Sequence, residues 1–179
     1  MPIRAARLED IPAILEIYRP YVENTTYSFE YTVPSLEEFT VRFVEHTRQF
    51  PWLVWEEEGA VLGYAYAGAA WERAAYQWTA EISIYLHSSL HGRGVGKALY
   101  RQVEQCLKAQ GYRIVYALVT TENTGSLAFH QHMGYTHRTT FEHCGYKMGR
   151  WLGVVWLEKQ LMPLGEPDAP PVPWQCVFK

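Results

Sequence analysis

Three glycines fall within five positions in His91-Gly92-Arg93-Gly94-Val95-Gly96-Lys97, and a helical pattern begins at once after them. Glycine loses more backbone entropy on folding than any other residue, so such a run marks a sharp turn or a close approach to the chain. A strand, a glycine turn and a helix N-terminus together form an anion site. N–H groups without intrahelical partners point outward, the helix dipole favours negative charge, and the missing Cβ atoms admit a phosphate. Two common phosphate loops do not fit. The Walker pattern needs Gly five places before Gly96 and Ser or Thr after Lys97, where this chain has His91 and Ala98. The dinucleotide fingerprint needs GxGxxG, whereas the chain reads GxGxG with no acidic residue at the right distance on a strand end.

The segment before the turn, TAEISIYLH, alternates cleanly. Ala80, Ile82, Ile84 and Leu86 share one face of a strand; Glu81, Ser83, Tyr85 and His87 share the other. Glu81 is thus a carboxylate on a polar strand face, the position of a general base. Nucleophilic and metal chemistry have weaker support. Cys106, Cys144 and Cys176 are far apart, form no CxxC pair and lack an adjacent base, which speaks against a covalent intermediate or a disulfide framework and for a reducing, cytoplasmic setting. His130, His132, His137 and His143 have neither Cys/His zinc spacing nor HExxH, so no metal is expected.

The elements that must position these residues follow from periodicity. A short strand (PIRAARL) precedes a helix through Ile11, Ile14, Leu15 and Tyr18, with Pro12 in its first turn. A polar-aromatic loop, VENTTYSFEYTV, leads to a second helix capped by Ser35, with Leu36, Phe39, Phe43 and Val44 as its apolar stripe. Two strands joined at Glu58-Gly59 come next, then the connection WERAAYQW and the Glu81 strand. After the glycine turn, Val95, Leu99, Val103 and Leu107 line a helix ending at Gly111. A buried-type strand (YRIVYALVT), a short helix (NTGSLAFHQHMG) and a hairpin turning near Gly145 to Gly149 complete the order β-α-α-β-β-β-α-β-α-β-β. This predicts a single α/β domain, of the α+β kind, with a mixed sheet flanked by helices over residues 1–162, and a proline-rich arm over 163–179 whose Trp174 and Phe178 pack on a partner or hang free.

Composition agrees. The chain has 179 residues, 48% of them hydrophobic, and a net charge of −3, so no basic field points to nucleic acid. The N-terminus carries charges where a signal peptide needs an apolar run, and no apolar stretch reaches membrane-spanning length.

His91-Gly92-Arg93-Gly94-Val95-Gly96 resembles the acetyl-coenzyme A signature of the GCN5-related N-acetyltransferases, Q/R-x-x-G-x-G/A, with His91 in the first place. NTGSLAFHQHMGY is similar to that family's second coenzyme A segment, with Asn123, Ser126 and Gly134-Tyr135 in place. TAEISIYLH, HMGY and GYKMGRW resemble the phosphinothricin and methionine sulfoximine branch. The resemblance spans roughly residues 2–161 and includes the element order; two motifs at the right separation are more specific than one.

The resemblance implies the GNAT fold, with a mostly antiparallel sheet, and acetyl-coenzyme A as co-substrate. Its pyrophosphate would be held by Arg93, Gly94, Val95, Gly96 and Lys97, mainly through backbone N–H groups, with His91, Gly92 and Ile84 alongside. It also implies strands that part beside the Glu81 strand, freeing a backbone N–H near Tyr85 or Leu86 for the oxyanion. Glu81 becomes the base, Asn123 and Ser126 hold the pantetheine, and His130 protonates the leaving thiolate where the broader family uses Tyr. For the acceptor it implies Arg73 on a substrate carboxylate and walls from Tyr27, Phe29 and Glu30 and from Tyr146, Lys147 and Trp151. The branch often places Asp where this chain has Gly153. The expected partners are a small amine and a second copy of the chain. The implied activity is N-acetylation of amino-acid analogues; protein or peptide N-acetylation and a non-catalytic acetyl-coenzyme A sensor stand as alternatives.

Overall fold

The computed structural model describes residues 2–178. Its elements are β1 (Ile3–Ala5), α1 (Ile11–Asn24), α2 (Leu36–Thr47), β2 (Trp52–Glu57), β3 (Ala60–Ala69), β4 (Thr79–Leu86), α3 (Val95–Gln110), β5 (Ile114–Thr120), α4 (Thr124–His132), β6 (Thr136–Lys147) and β7 (Arg150–Gln160). This is the order the periodicity predicts. The strands form one sheet, β1-β2-β3-β4-β5-β7-β6, antiparallel throughout except between β4 and β5.

Each face of the sheet carries its own core. On one, Val95, Leu99, Val103 and Leu107 of α3 are all buried against Ala80, Ile82, Val115 and Ala117. On the other, Ile14 and Tyr18 of α1 and Phe39 and Phe43 of α2 close over Trp52, Val54 and Tyr64. Two readings change here. The face of β4 expected to be polar carries Tyr85, which packs edge-on against Tyr18 (4.8 Å) and Tyr21 (5.1 Å), because α1 covers that side as well. The stripe of α2 is narrower than expected. Phe39 and Phe43 are buried, but Leu36 and Val44 are exposed, since α2 lies at the rim and only one edge of it reaches the sheet.

Local signals explain the helix limits. Ser35 caps α2 reciprocally with Glu38, each side chain taking the other's backbone N–H. Helix α3 opens at Gly94 and closes at Gly111, both at positive φ (76° and 106°). The C-terminal segment does not stand off. The Trp174 indole is buried and donates to Thr47 O at 2.9 Å, and the Gln110 amide donates to Gln49 O and Val172 O, both at 2.7 Å, so the tail is strapped across the ends of α2 and α3.

Candidate active site

Three rungs join β4 to β5: Thr79 with Ile114, Ala80 with Val115 and Glu81 with Tyr116. β4 then runs on to Leu86 and β5 to Thr120 without further pairing to each other. The His87 N–H donates to Leu62 O at 2.8 Å, so residues of that parity address β3. Strand alternation therefore turns the main-chain groups of Ile82, Ile84 and Leu86 into the gap. At Leu86 the Tyr21 hydroxyl stands in for the missing strand, donating to Leu86 O at 2.7 Å and accepting from Leu86 N–H at 3.3 Å. This corrects part of the oxyanion expectation. Tyr85 faces Tyr64 in the β3 ladder, so its N–H is turned away from the gap.

The gap holds a crevice of about 70 Å³ that adjoins a cleft of about 610 Å³; Tyr21, Tyr27, Ile84, Asn123 and Ser126 line both. His91, Gly92, Gly94, Gly96, Lys97 and Leu86 complete much of the cleft wall. The N–H groups of Val95, Gly96 and Lys97 precede the first bond of α3, Ala98 N–H to Gly94 O, and so have no intrahelical partner. Gly92 and Gly94 have φ of 75° and 76°, so the turn needs glycine there for its backbone alone. Gly96 is helical; a Cβ on it would meet Leu86, Ile84 and Phe129 at 3.4–3.6 Å, on the cleft wall. A cleft of this size, rimmed by donors without side-chain cover, fits a phosphate-bearing ligand such as acetyl-coenzyme A.

Two side chains expected in that group point elsewhere. The Val95 side chain is in the core, because it is the first apolar residue of the α3 stripe. Arg93 turns outward to Glu57 (2.7 and 3.2 Å), and its N–H is bonded to Leu90 O. Glu57 also accepts from the Trp55 indole, and these two donors hold its carboxyl below the usual range.

Glu81 occupies the last rung before the strands part. It is half-buried, and among the described residues its carboxyl has no ion-pair partner. Burial alone pushes its pKa up. His130 contrasts with it. Ser126 O can only accept, so His130 Nδ1 carries the proton donated to it at 2.7 Å, while Nε2 accepts from the Tyr100 hydroxyl at 2.6 Å. The ring is 3% exposed, and burial lowers its pKa. His130 lines the crevice with both ring nitrogens engaged and with burial disfavouring its charged form, which argues against its expected role as direct proton donor.

The loop after α1 and the β6–β7 hairpin pack on each other beside the cleft, and of the wall residues expected from them only Tyr27 lines either cavity. The Phe29 ring lies where a side chain on Gly145 would be, the Tyr31 hydroxyl donates to Tyr146 O, and Tyr146 packs edge-on with Trp151 at 5.6 Å. Tyr27 reaches both cavities; Glu30 is paired with Arg42 at 2.6 Å. Lys147 is not available to a substrate, contrary to expectation. It is 5% exposed, and its ammonium donates to Val22 O, Thr25 O and Ser28 O at 2.7–2.8 Å, tying the end of α1 and its loop to the hairpin. Glu122 adds a second tie, accepting from Thr26 at 2.7 Å and from Arg150 at 2.8 and 2.9 Å. Arg73 is exposed on the β3–β4 connection and lines a separate open groove with Trp71, Glu72 and Tyr76; it does not line the cleft or the crevice. Gly153 has a steric reason. A Cβ there would lie 2.8 Å from Thr121 Cγ2 and 3.1 Å from the carbonyls of Phe141 and Glu142, where β6 bulges over it.

Sequence reasoning missed Tyr21, Arg42 and Glu122, whose partners lie 65, 12 and 96 positions away. No local spacing marks them. Among the described residues no group of three or more His, Cys, Asp or Glu is placed to hold a metal, and no helix is long and apolar enough to cross a membrane.

The sequence matches the model of an acetyltransferase (GNAT) domain over residues 3–156. It is 36% identical to a phosphinothricin N-acetyltransferase of Streptomyces viridochromogenes over 172 residues, covering 96% of this chain and 91% of that one. It is 32% identical to an L-methionine sulfoximine/L-methionine sulfone acetyltransferase of Pseudomonas aeruginosa, covering 90% and 95%. Among solved structures, it is similar to a phosphinothricin acetyltransferase of Sinorhizobium meliloti in complex with acetyl-coenzyme A. That match has a TM-score of 0.87, 35% identity and coverage of 95% and 94%.

Proposed function

The chain belongs to the GNAT acetyltransferase family and is an N-acetyltransferase; on that premise we propose that it acetylates the α-amine of small amino-acid analogues, phosphinothricin, methionine sulfoximine and methionine sulfone among them, by direct transfer from acetyl-coenzyme A. The observation that carries this reading is the meeting of two cavities at the β4–β5 gap, next to the rung that carries the half-buried Glu81 carboxylate, which has no ion-pair partner among the described residues. The printed activities of the relatives support the substrate class.

Bound acetyl-coenzyme A supplies the acetyl thioester. The N–H groups of Val95, Gly96 and Lys97 take its pyrophosphate, and Gly92, Gly94 and Gly96 leave room for it. Asn123 and Ser126 guide the pantetheine, while Ile84 offers it main-chain groups from β4, those of Leu86 being taken by the Tyr21 hydroxyl. Glu81 takes a proton from the substrate ammonium. Its raised pKa suits this task, since a carboxylate nearer neutrality is the stronger base. His130, bonded at both nitrogens, positions Ser126 and the end of α4.

Tyr27, Phe29, Tyr146 and Trp151 form the acceptor wall, with Lys147 and Glu30 behind it. Arg73 is assigned to the substrate carboxylate. In support, Trp71 of the same connection packs edge-on against Tyr116 (5.1 Å), the partner of Glu81 across the last rung. The proposal includes a cytoplasmic homodimer. Free Cys106, Cys144 and Cys176 support the compartment, and the exposed aromatic side chains of the hairpin support the assembly.

The test is release of free thiol from acetyl-coenzyme A on adding methionine sulfoximine, phosphinothricin, methionine sulfone, methionine or a short peptide. Rapid release with the sulfoximine or phosphinothricin and little with peptide is expected. Release with peptide alone overturns the substrate class, and no release with any overturns the catalytic reading of this acceptor site.

A further inference from the structure

We infer that the Thr120 hydroxyl is a ligand-contact group, donating a hydrogen bond to the acetyl oxygen of the thioester in the β4–β5 crevice. The inference rests on the acetyl-coenzyme A reading above and adds to it a residue that no motif marks. Thr120 is the last residue of β5 and is 4% exposed. Its Oγ1 is buried and has no hydrogen-bond partner. Of the side-chain atoms in that condition among the described residues, it alone belongs to a residue lining the crevice or the cleft.

A buried hydroxyl left unpaired costs about 1–3 kcal/mol. The surroundings would accept a cheaper residue. Val119 precedes it, Val154 faces it across the ladder and Val155 lies beside that, so valine would fill the same shape without an unmet donor. Threonine commonly satisfies itself on a nearby backbone group, and this one does not. A hydroxyl kept there despite the cost is explained by a partner that arrives with the ligand.

The crevice sets the chemistry of that partner. Its β4 wall presents the main chain of Ile84 and its β5 wall presents Thr120. Its volume of about 70 Å³ is several times the roughly 10–15 Å³ that one water needs, room for a group of acetyl size. Glu81 and Thr120 lie on the same face of the sheet. Glu81 pairs with Tyr116, and Thr120 is four positions further along β5. In the transfer the amine nitrogen bonds to the carbonyl carbon, the carbonyl oxygen takes the charge, and the C–S bond then breaks with its electron pair leaving on sulfur. Glu81 has by then taken one proton from the ammonium, the second proton shed by the nitrogen passes to the thiolate sulfur, and the Thr120 proton stays on Oγ1 throughout.

The test compares Thr120→Val and Thr120→Ser with the wild type by calorimetric binding of acetyl-coenzyme A and of coenzyme A, by thermal unfolding without ligand, and by turnover. Thr120→Val should unfold at the same temperature or higher, since it removes an unmet donor. It should lose about fivefold or more in affinity for acetyl-coenzyme A, the worth of one hydrogen bond, with coenzyme A binding unchanged. Turnover should fall about tenfold to a thousandfold, the range for one oxyanion donor. Thr120→Ser, which keeps the hydroxyl, should stay close to wild type. If Thr120→Val binds both ligands and turns over like wild type, or if it loses activity together with folding stability, the inference is overturned and the acetyl-coenzyme A reading stands. If the wild type binds neither ligand, that reading itself fails.

Discussion

The cleft beside the glycine turn and the wall facing it are built on opposite plans. The cleft is assembled from backbone: helix N–H groups, two glycines at positive φ and the unpaired edge of β4. The wall is assembled from side chains anchored far away in sequence, with one buried ammonium on three carbonyls and one carboxylate bridging Thr26 and Arg150. On the proposed function, a backbone site would recognise what all acetyl donors share, and a side-chain wall could be rebuilt without disturbing it, so donor and acceptor specificity should be separable.

The strongest test of that separation falls between the two regions, at Glu81. Glu81→Gln should lower turnover about 10²–10⁴-fold, the worth of a general base. Calorimetry should find acetyl-coenzyme A binding unchanged. In the wild type the rate should fall as pH drops through the raised Glu81 pKa, since the base is then protonated. The sign for stability is opposite to that of a salt-bridged carboxylate. The ionised group pays for its burial above the raised pKa and not below the ordinary value of 4.5, so Glu81→Gln should be at least as stable as wild type at neutral pH, with any gain vanishing in acid. A large loss of acetyl-coenzyme A affinity would merge the two regions into one.

Next in size, Lys147→Met should cost about 3 kcal/mol in chemical unfolding, because three carbonyls, two of them in buried bonds, lose a charged donor. Steady-state kinetics should show KM for the amine raised about tenfold, a loss of about 1.4 kcal/mol in acceptor binding, with acetyl-coenzyme A affinity intact. A matching loss of donor affinity would break the separation. The smallest effect belongs to Gly96→Ala. The helix should gain up to about 1 kcal/mol, while the added methyl on the cleft wall weakens acetyl-coenzyme A binding about tenfold and leaves the amine KM alone.

The same contrast explains what the sequence could tell. The element order, the α3 stripe and the glycine turn were legible because each rests on spacing within a few residues. Glu81 was legible as a polar residue in an alternating strand, but its place on the last rung was not, since pairing is a property of two strands. Lys147 reads as a substrate-wall lysine until α1 is docked beside it, and His130 reads as a proton donor until Tyr100 arrives from α3. Leu36 and Val44 show the same gap from the other side: helical spacing marks a stripe, but how much of it is covered depends on where the helix lies.

The three rungs between β4 and β5 also have a mechanical meaning. The sheet is two panels, β1 to β4 and β5 to β7, stapled at one end and open at the other. A ligand arm laid along the open end would supply the rungs that the chain leaves out, so loading the enzyme would stiffen the seam as well as fill the cleft.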